Sequence, residues 1–211
     1  ELFRIYIGKS WSKISENEII PWSLELIEEF EDKWNWSILS RNNSIILTVE
    51  LIEEFKNKWD WKILGYNKNL TIEIIEKYKN QLDSKALSSN NSISWSIELI
   101  EKIENKINWD ILSSNQSLPW TFELIEKFDH KWIWTSLSKN ECLPWSIELL
   151  EKYKNKWDWY FIFKNESINK IWSIKLINKY ADKLSCSESI WKTLKPYIND
   201  ELIEEVFKEI K

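Results

Sequence analysis

The chain has 211 residues and a formal net charge of −5, with 43% hydrophobic and 30% charged residues. It holds apolar matter enough for a core but no run near the ~20 apolar residues that span a bilayer, so membrane insertion is not expected. Nucleic-acid binders present a basic face to phosphate, so an acidic total disfavours that class without excluding a local basic row.

The chain opens at Glu1, without Met and in mid-phrase, and is expected to be a piece of a longer protein. Residues 1–10 form an uncertain N-terminal segment in which Leu2–Lys9 disguises or lacks a helix. No signal-peptide pattern precedes the repeats, which favours a cytoplasmic or virion-associated location over a secreted one. Trp11–Asn17 then reads as a short helix, here called helix B. From Ser23 onward one phrase recurs, its first residue falling at Ser23, Thr48, Thr71, Ser96, Thr121, Ser146 and Ser173, in steps of 25, 23, 25, 25, 25 and 27. A fixed period of this size marks units too small to bury their own apolar faces, which stack on their neighbours. The expected fold is all-α, an α-solenoid of ~25-residue two-helix repeats over residues 11–172.

Each phrase begins with an amphipathic helix A. Trp145, Leu149, Leu150, Tyr153 and Trp157 recur at helical spacing while Glu148, Glu151, Lys152 and Lys154 face elsewhere, which predicts a helix of about 12 residues. Glu73–Lys77, Glu98–Lys102, Glu123–Lys127 and Glu148–Lys152 stand four apart, an order that supports the helix by about 0.3–0.5 kcal/mol per pair. Pro21, Pro119 and Pro144 lie just before it, where a missing N–H costs nothing.

Helix B follows, about seven residues long by the same reasoning. Asn35, Asp60, Asp83, Asn108 and Asp158 precede it and are natural N-caps. Trp36 and Leu39, Trp61 and Leu64, Trp109 and Leu112, and Trp134 and Leu137 supply its apolar pairs. Asn42, Asn67, Asn90, Asn115, Asn140 and Asn165 close it; Asn tolerates the left-handed conformation that ends helices, and its amide can tie down the next loop. After Ser173 the pattern diverges: Trp191–Leu194 restates helix B and Asp200–Phe207 restates helix A, so residues 173–211 are read as a divergent repeat and cap.

All 16 tryptophans fall at three places in this grammar: before helix A, at its end, and at the start of helix B. Leu47, Leu70, Leu82 and Ile107 stand in where Trp is missing. Aliphatic replacement says the place wants buried volume, so the indoles read as core and not as a ligand platform.

Trp109-Asp110-Ile111-Leu112-Ser113-Ser114-Asn115, followed by Leu118-Pro119-Trp120, resembles the tryptophan-rich D-W-x-x-L-S-x-N short repeats of uncharacterised proteins of large DNA viruses and some bacteria. The resemblance runs from about Trp11 to Trp172 and weakens at Leu82-Asp83-Ser84. It implies a repeat fold and carries no established activity.

No constellation of catalytic, cofactor-binding or metal-ligating residues is found, so the chain is expected not to be an enzyme and to need no cofactor. His130, the only histidine, occupies a place held elsewhere by Asp32, Asn57, Asn80, Asn105 and Asn155. Cys142 and Cys186 have no metal or redox spacing. Gly8 and Gly65 form no phosphate loop. Glu53, Glu76, Glu101, Glu126 and Glu151 are one repeat place copied along a solvated face. Sequons at Asn35, Asn42, Asn69, Asn90, Asn115 and Asn165 read as by-products of capping and closing residues.

What varies between repeats is the better guide to specificity. Directly after the helix B Trp stand Ser37, Lys62, Lys85, Asp110, Thr135 and Tyr160; before the closing Asn stand Arg41, Tyr66, Ser89, Ser114, Lys139 and Lys164. At i and i+4 these share one helix face. They form a candidate partner-binding stripe on a non-enzymatic protein-binding or scaffolding module. Two alternatives stand beside it: a structural particle or surface component that self-associates through the ends of the array, and single-stranded RNA binding along Arg41, Lys62, Lys85, Lys139 and Lys164, which the net acidity and Asp110 oppose.

Overall fold

The computed structural model describes residues 10–172 together with Leu176, Lys179, Tyr180 and Lys183. Leu2–Lys9, Cys186, Trp191–Leu194 and Asp200–Phe207 lie outside the described residues. The chain divides into two compact halves, Glu1–Leu112 and Ser113–Lys211. Among the described residues every regular element is helical.

In the first half the order is α1 (Trp11–Ser15), α2 (Leu24–Glu29), α3 (Trp36–Arg41), α4 (Val49–Glu54), α5 (Trp61–Leu64), α6 (Ile72–Tyr78), α7 (Ser84–Ser89) and α8 (Ile97–Ile103). The division falls inside α9 (Trp109–Ser114), and the second half continues with α10 (Phe122–Lys127), α11 (Trp134–Lys139), α12 (Ile147–Lys152) and α13 (Trp159–Ile162). Odd-numbered helices are the helix B of the sequence pattern and even-numbered ones its helix A. Within the first half α1 packs on α3, α3 on α5, and α5 on α7, while α6 packs on α8; within the second, α11 packs on α13.

The most regular place in the repeat is a cap. Ser23, Thr48, Thr71, Ser96, Thr121 and Ser146 each accept, through the side-chain oxygen, the N–H three residues on, satisfying one of the donors a helix start leaves open. At helix B, Asn35, Asp60, Asp83 and Asn108 cap as their residue type predicts. Asp158 holds the N-cap place without a side-chain cap bond.

Helix A is half the expected length, with six or seven α-helical residues where periodicity predicts about 12. The chain leaves helical geometry at Phe30, Phe55, Phe128 and Tyr153, where φ is −122°, −110°, −114° and −113°. There the backbone N–H of Glu31 bonds to Glu28 instead of Ile27, and the Ile27 carbonyl is released. The indole of Trp34 takes it, its Nε1–H donating at 2.9 Å. Trp132 does the same to Ile125 at 3.2 Å, and Trp157 to Leu150 at 3.3 Å. In these three repeats the break exchanges a backbone bond for an indole bond and folds a buried tryptophan back over its own helix.

The core is a row of aliphatic residues from helix A with one Leu or Ile from each helix B. Ile27, Ile52, Ile75 and Ile100 join Leu39, Leu64 and Leu87 in the first half; Ile125, Leu150, Leu137 and Ile162 do so in the second. Aromatic rings line it: Trp11 meets Trp34 edge-on, as Trp36 meets Trp59 and Trp134 meets Trp157. The tryptophans at the end of helix A are buried, whereas most of those opening helix B are half-buried. Volume and ring-edge contact explain both places.

Candidate partner-binding face

Helix B has only four to six residues, too few to be stable alone. Two polar places hold it. The first is the closing Asn, buried in every described repeat from Asn42 to Asn165. In the first half the Asn42 side chain donates to the carbonyls of Ser15 and Asn17, Asn67 to those of Ser40 and Asn42, and Asn90 to those of Gly65 and Asn67. In the second half Asn140 reaches Ser113 and Asn115, and Asn165 reaches Ser138 and Asn140. The Oδ1 of each accepts the N–H two residues on, as at Ser44, Asn69, Ser92, Cys142 and Ser167. Both amide hydrogens and the carbonyl oxygen are used, as buried amides require. The left-handed backbone expected for these residues is not adopted: φ is −68° at Asn42, −75° at Asn90 and −81° at Asn165. Asn is there for a side chain that donates twice and accepts once, which no other residue of its size does.

The second place is the Ser two before it. Ser15, Ser40, Ser88, Ser113 and Ser138 are fully buried. In the first half their hydroxyls accept the backbone N–H of Asn35, Asp60 and Asn108 at 2.9–3.0 Å; in the second those of Ile133 and Asp158 do so at 3.0 Å. Ser40 and Ser138 also donate to the carbonyls of Trp36 and Trp134. Sequence reasoning missed this serine because a hydroxyl one turn from a helix end reads as solvated; its recurrence beside an invariant Asn is the signal that finds it.

Helix A adds a charged row. Lys58 meets Glu31 and Asp32, Lys77 meets Glu53, and Lys102 meets Glu76, each 24–27 residues back; Lys152 meets Glu126 and Lys156 meets Asp129 likewise. Of the four same-helix pairs expected from spacing, Glu98–Lys102 forms at 3.1 Å. Lys77 and Lys152 turn instead to the preceding repeat. The Tyr78 hydroxyl and the Lys77 ammonium hold the Glu53 carboxyl below the usual range, and Glu53 in turn raises Lys77.

With these places occupied, most of the stripe faces solvent. Arg41, Lys62, Lys85, Asp110, Ser114, Thr135, Lys139 and Lys164 are exposed, and Tyr66 and Tyr160 are 51% and 42% exposed. Ser37 and Ser89 are half-buried: the Ser37 hydroxyl donates to Asp60 at 3.2 Å, and that of Ser89 to the Lys85 carbonyl at 2.8 Å. Lys139 lies 4.0 Å from the centre of the Phe161 ring and Lys164 4.2 Å from that of Tyr160. None of Arg41, Lys62, Lys85, Lys139 and Lys164 pairs with a carboxylate among the described residues. An open pocket of about 280 Å³ lies at the Arg41 end, lined by Glu16, Glu18, Ile38, Arg41, Asn42 and Asn43.

His130 is exposed, its Nδ1 3.8 Å from Asp129. Among the described residues no three His, Cys, Asp or Glu side chains gather as a metal-ligand group, and no helix is long and apolar enough to cross a membrane. No protein-family model, curated protein or solved structure matches the chain.

Proposed function

We propose that this chain is a non-enzymatic protein-binding module, an α-solenoid whose helix B face carries the partner. One observation carries the reading: the places that stay constant between repeats are consumed by bonds to the neighbouring repeat, and ten of the twelve residues at the places that vary on helix B are left at the surface. The closing Asn, the buried Ser and the helix A lysines supply the bonds. Lys62, Tyr66, Lys139 and Tyr160 are the exposed variables. A frame built from constant residues with one variable face is how repeat proteins present extended binding surfaces. Exposed tyrosine is enriched at protein interfaces.

Affinity capture with the tagged protein tests this, using a variant combining Lys62→Glu, Tyr66→Ala, Lys139→Glu and Tyr160→Ala. The expected result is a protein partner that resists ribonuclease and is lost with the variant, while the helical circular-dichroism signal stays unchanged. A partner retained by the variant would overturn the assignment of the face. Recovery of the protein with itself alone would replace binding by self-assembly.

A further inference from the structure

In the first half Lys58, Lys77 and Lys102, on or just after helix A, are neutralised by carboxylates of the preceding repeat. Among the described residues Arg41, Lys62 and Lys85 meet no carboxylate. They stand one each on α3, α5 and α7, which pack in that order. Exposed Tyr66 lies one turn from Lys62 on the same face. The row is bounded by charge of the other sign: Glu16 and Glu18 flank the pocket at Arg41, and exposed Asp110 follows at the far end. Helix B of three successive repeats therefore carries a short positive row between negative ends, in a protein of net charge −5.

We infer that this row receives an extended acidic segment of the partner protein, with a carboxylate at every third residue. This rests on the binding-face reading above and specifies its ligand. Packed helices lie about 8–10 Å apart, which sets the step from Lys62 to Lys85, the same repeat place on α5 and α7; Arg41 stands one helical turn out of that line on α3. A polyproline II strand rises ~3.1 Å per residue with three residues per turn. Its every third side chain points the same way, and recurs after about 9 Å. A single acidic face on such a strand matches Lys62 and Lys85 one for one, with Arg41 and the Tyr66 ring and hydroxyl at the neighbouring place one turn along. The negative ends limit the length of strand that fits. A phosphate backbone fits less well, because it continues past Glu16 and Asp110 where it is repelled, and because the indoles that would stack on bases are occupied in the core.

The test is fluorescence anisotropy of the full chain with a labelled peptide of repeated Glu-Pro-Pro, against a peptide of the same composition with its glutamates clustered, and against oligouridylate. The Glu-Pro-Pro peptide is expected to bind most tightly and to weaken as salt rises. Lys62→Glu with Lys85→Glu is expected to weaken it about tenfold, the size of two exposed ion pairs turned repulsive. Lys33→Glu with Lys106→Glu, on the turns after helix A, is expected to leave it unchanged. Equal loss with both reversals would reduce the binding to net charge and overturn the inference. Equal binding of the clustered peptide would overturn the spacing, and tighter binding of oligouridylate would make the occupant a nucleic acid. A dimer in sedimentation that the Lys62 and Lys85 reversal dissolves, and the peptide does not, would make it a second copy. Failure of every peptide while affinity capture stays dependent on the face would sink the acidic segment alone; capture independent of the face sinks the reading beneath it.

Discussion

Asn67 shows how much one side chain can carry. It is 1% exposed; its amide donates to two carbonyls, and its oxygen accepts one N–H. Asn67→Ala leaves two buried carbonyls and a part-buried N–H without these partners and is expected to cost about 2–4 kcal/mol in urea unfolding. Asn67→Asp keeps the size and the acceptor but aims an oxygen at the carbonyls of Ser40 and Asn42. It is expected to be at least as damaging, and an Asp variant as stable as the parent would remove the double donation from the account. Trp34 and Trp59 give a paired comparison. Both are buried at the end of helix A, yet the Trp34 indole N–H donates to Ile27 while that of Trp59 has no partner. Phe in place of Trp59 is therefore expected to cost about 1 kcal/mol less than Phe in place of Trp34, read as the difference in unfolding free energy.

At the scale of elements, the junction of the second and third repeats departs from the others in three linked ways. The step from Thr48 to Thr71 is 23 residues, Gly65 replaces the bridging Ser, and Ala86 stands where Ile38, Ile63 and Ile111 stand elsewhere. A Cβ added to Gly65 would lie 2.7 Å from that of Ala86. The two small residues let α5 and α7 approach without the hydroxyl bridge used at Ser40 and Ser88. Gly65→Ala is expected to destabilise by about 1–3 kcal/mol through overpacking, although the backbone there, at φ −57°, suits any residue. Adding Ala86→Gly is expected to recover part of that loss, a coupling a double-mutant cycle measures; strictly additive losses would exclude the close approach as the cause. The lengths of the helices were the least legible feature. Apolar spacing registers which residues face inward, and it continues in phase through Phe30 to Trp34 although the hydrogen bonds shift at Glu31. A break that preserves phase is invisible to periodicity.

At the scale of the whole molecule, stability has a directional dependence on pH. The carboxyls of Glu25, Glu50, Glu53 and Glu151 are held below their ordinary range, the first two by their own backbone N–H and the Ser23 and Thr48 hydroxyls. In the others the first cause is the Tyr78 hydroxyl at Glu53 and the Lys179 ammonium at Glu151. A depressed folded pKa contributes stability above the unfolded value and loses it as pH falls through the folded one. The melting temperature is therefore expected to fall as pH drops below about 4. Lys58, Lys77, Lys102 and Lys152 are raised by their carboxylate partners. Their contribution is present below the ordinary lysine value and is lost only as pH rises through the raised one. A melting temperature level between about pH 5 and 9 is the expected plateau, and a steep slope inside it would contradict these assignments.

The sequence by itself determined the helical class, the period, the aliphatic and indole core, four of the helix B caps and the exposure of ten stripe residues, because each follows from local spacing and residue type. Only the tertiary structure decided where the polar groups go. Whether Lys77 pairs with Glu73 or Glu53, whether Asn67 turns its backbone or spends its amide, and whether the Ile27 carbonyl takes a backbone or an indole N–H all depend on what another part of the chain brings within 3 Å or so. A hydrogen bond is settled by that proximity, and spacing along the chain carries no record of it.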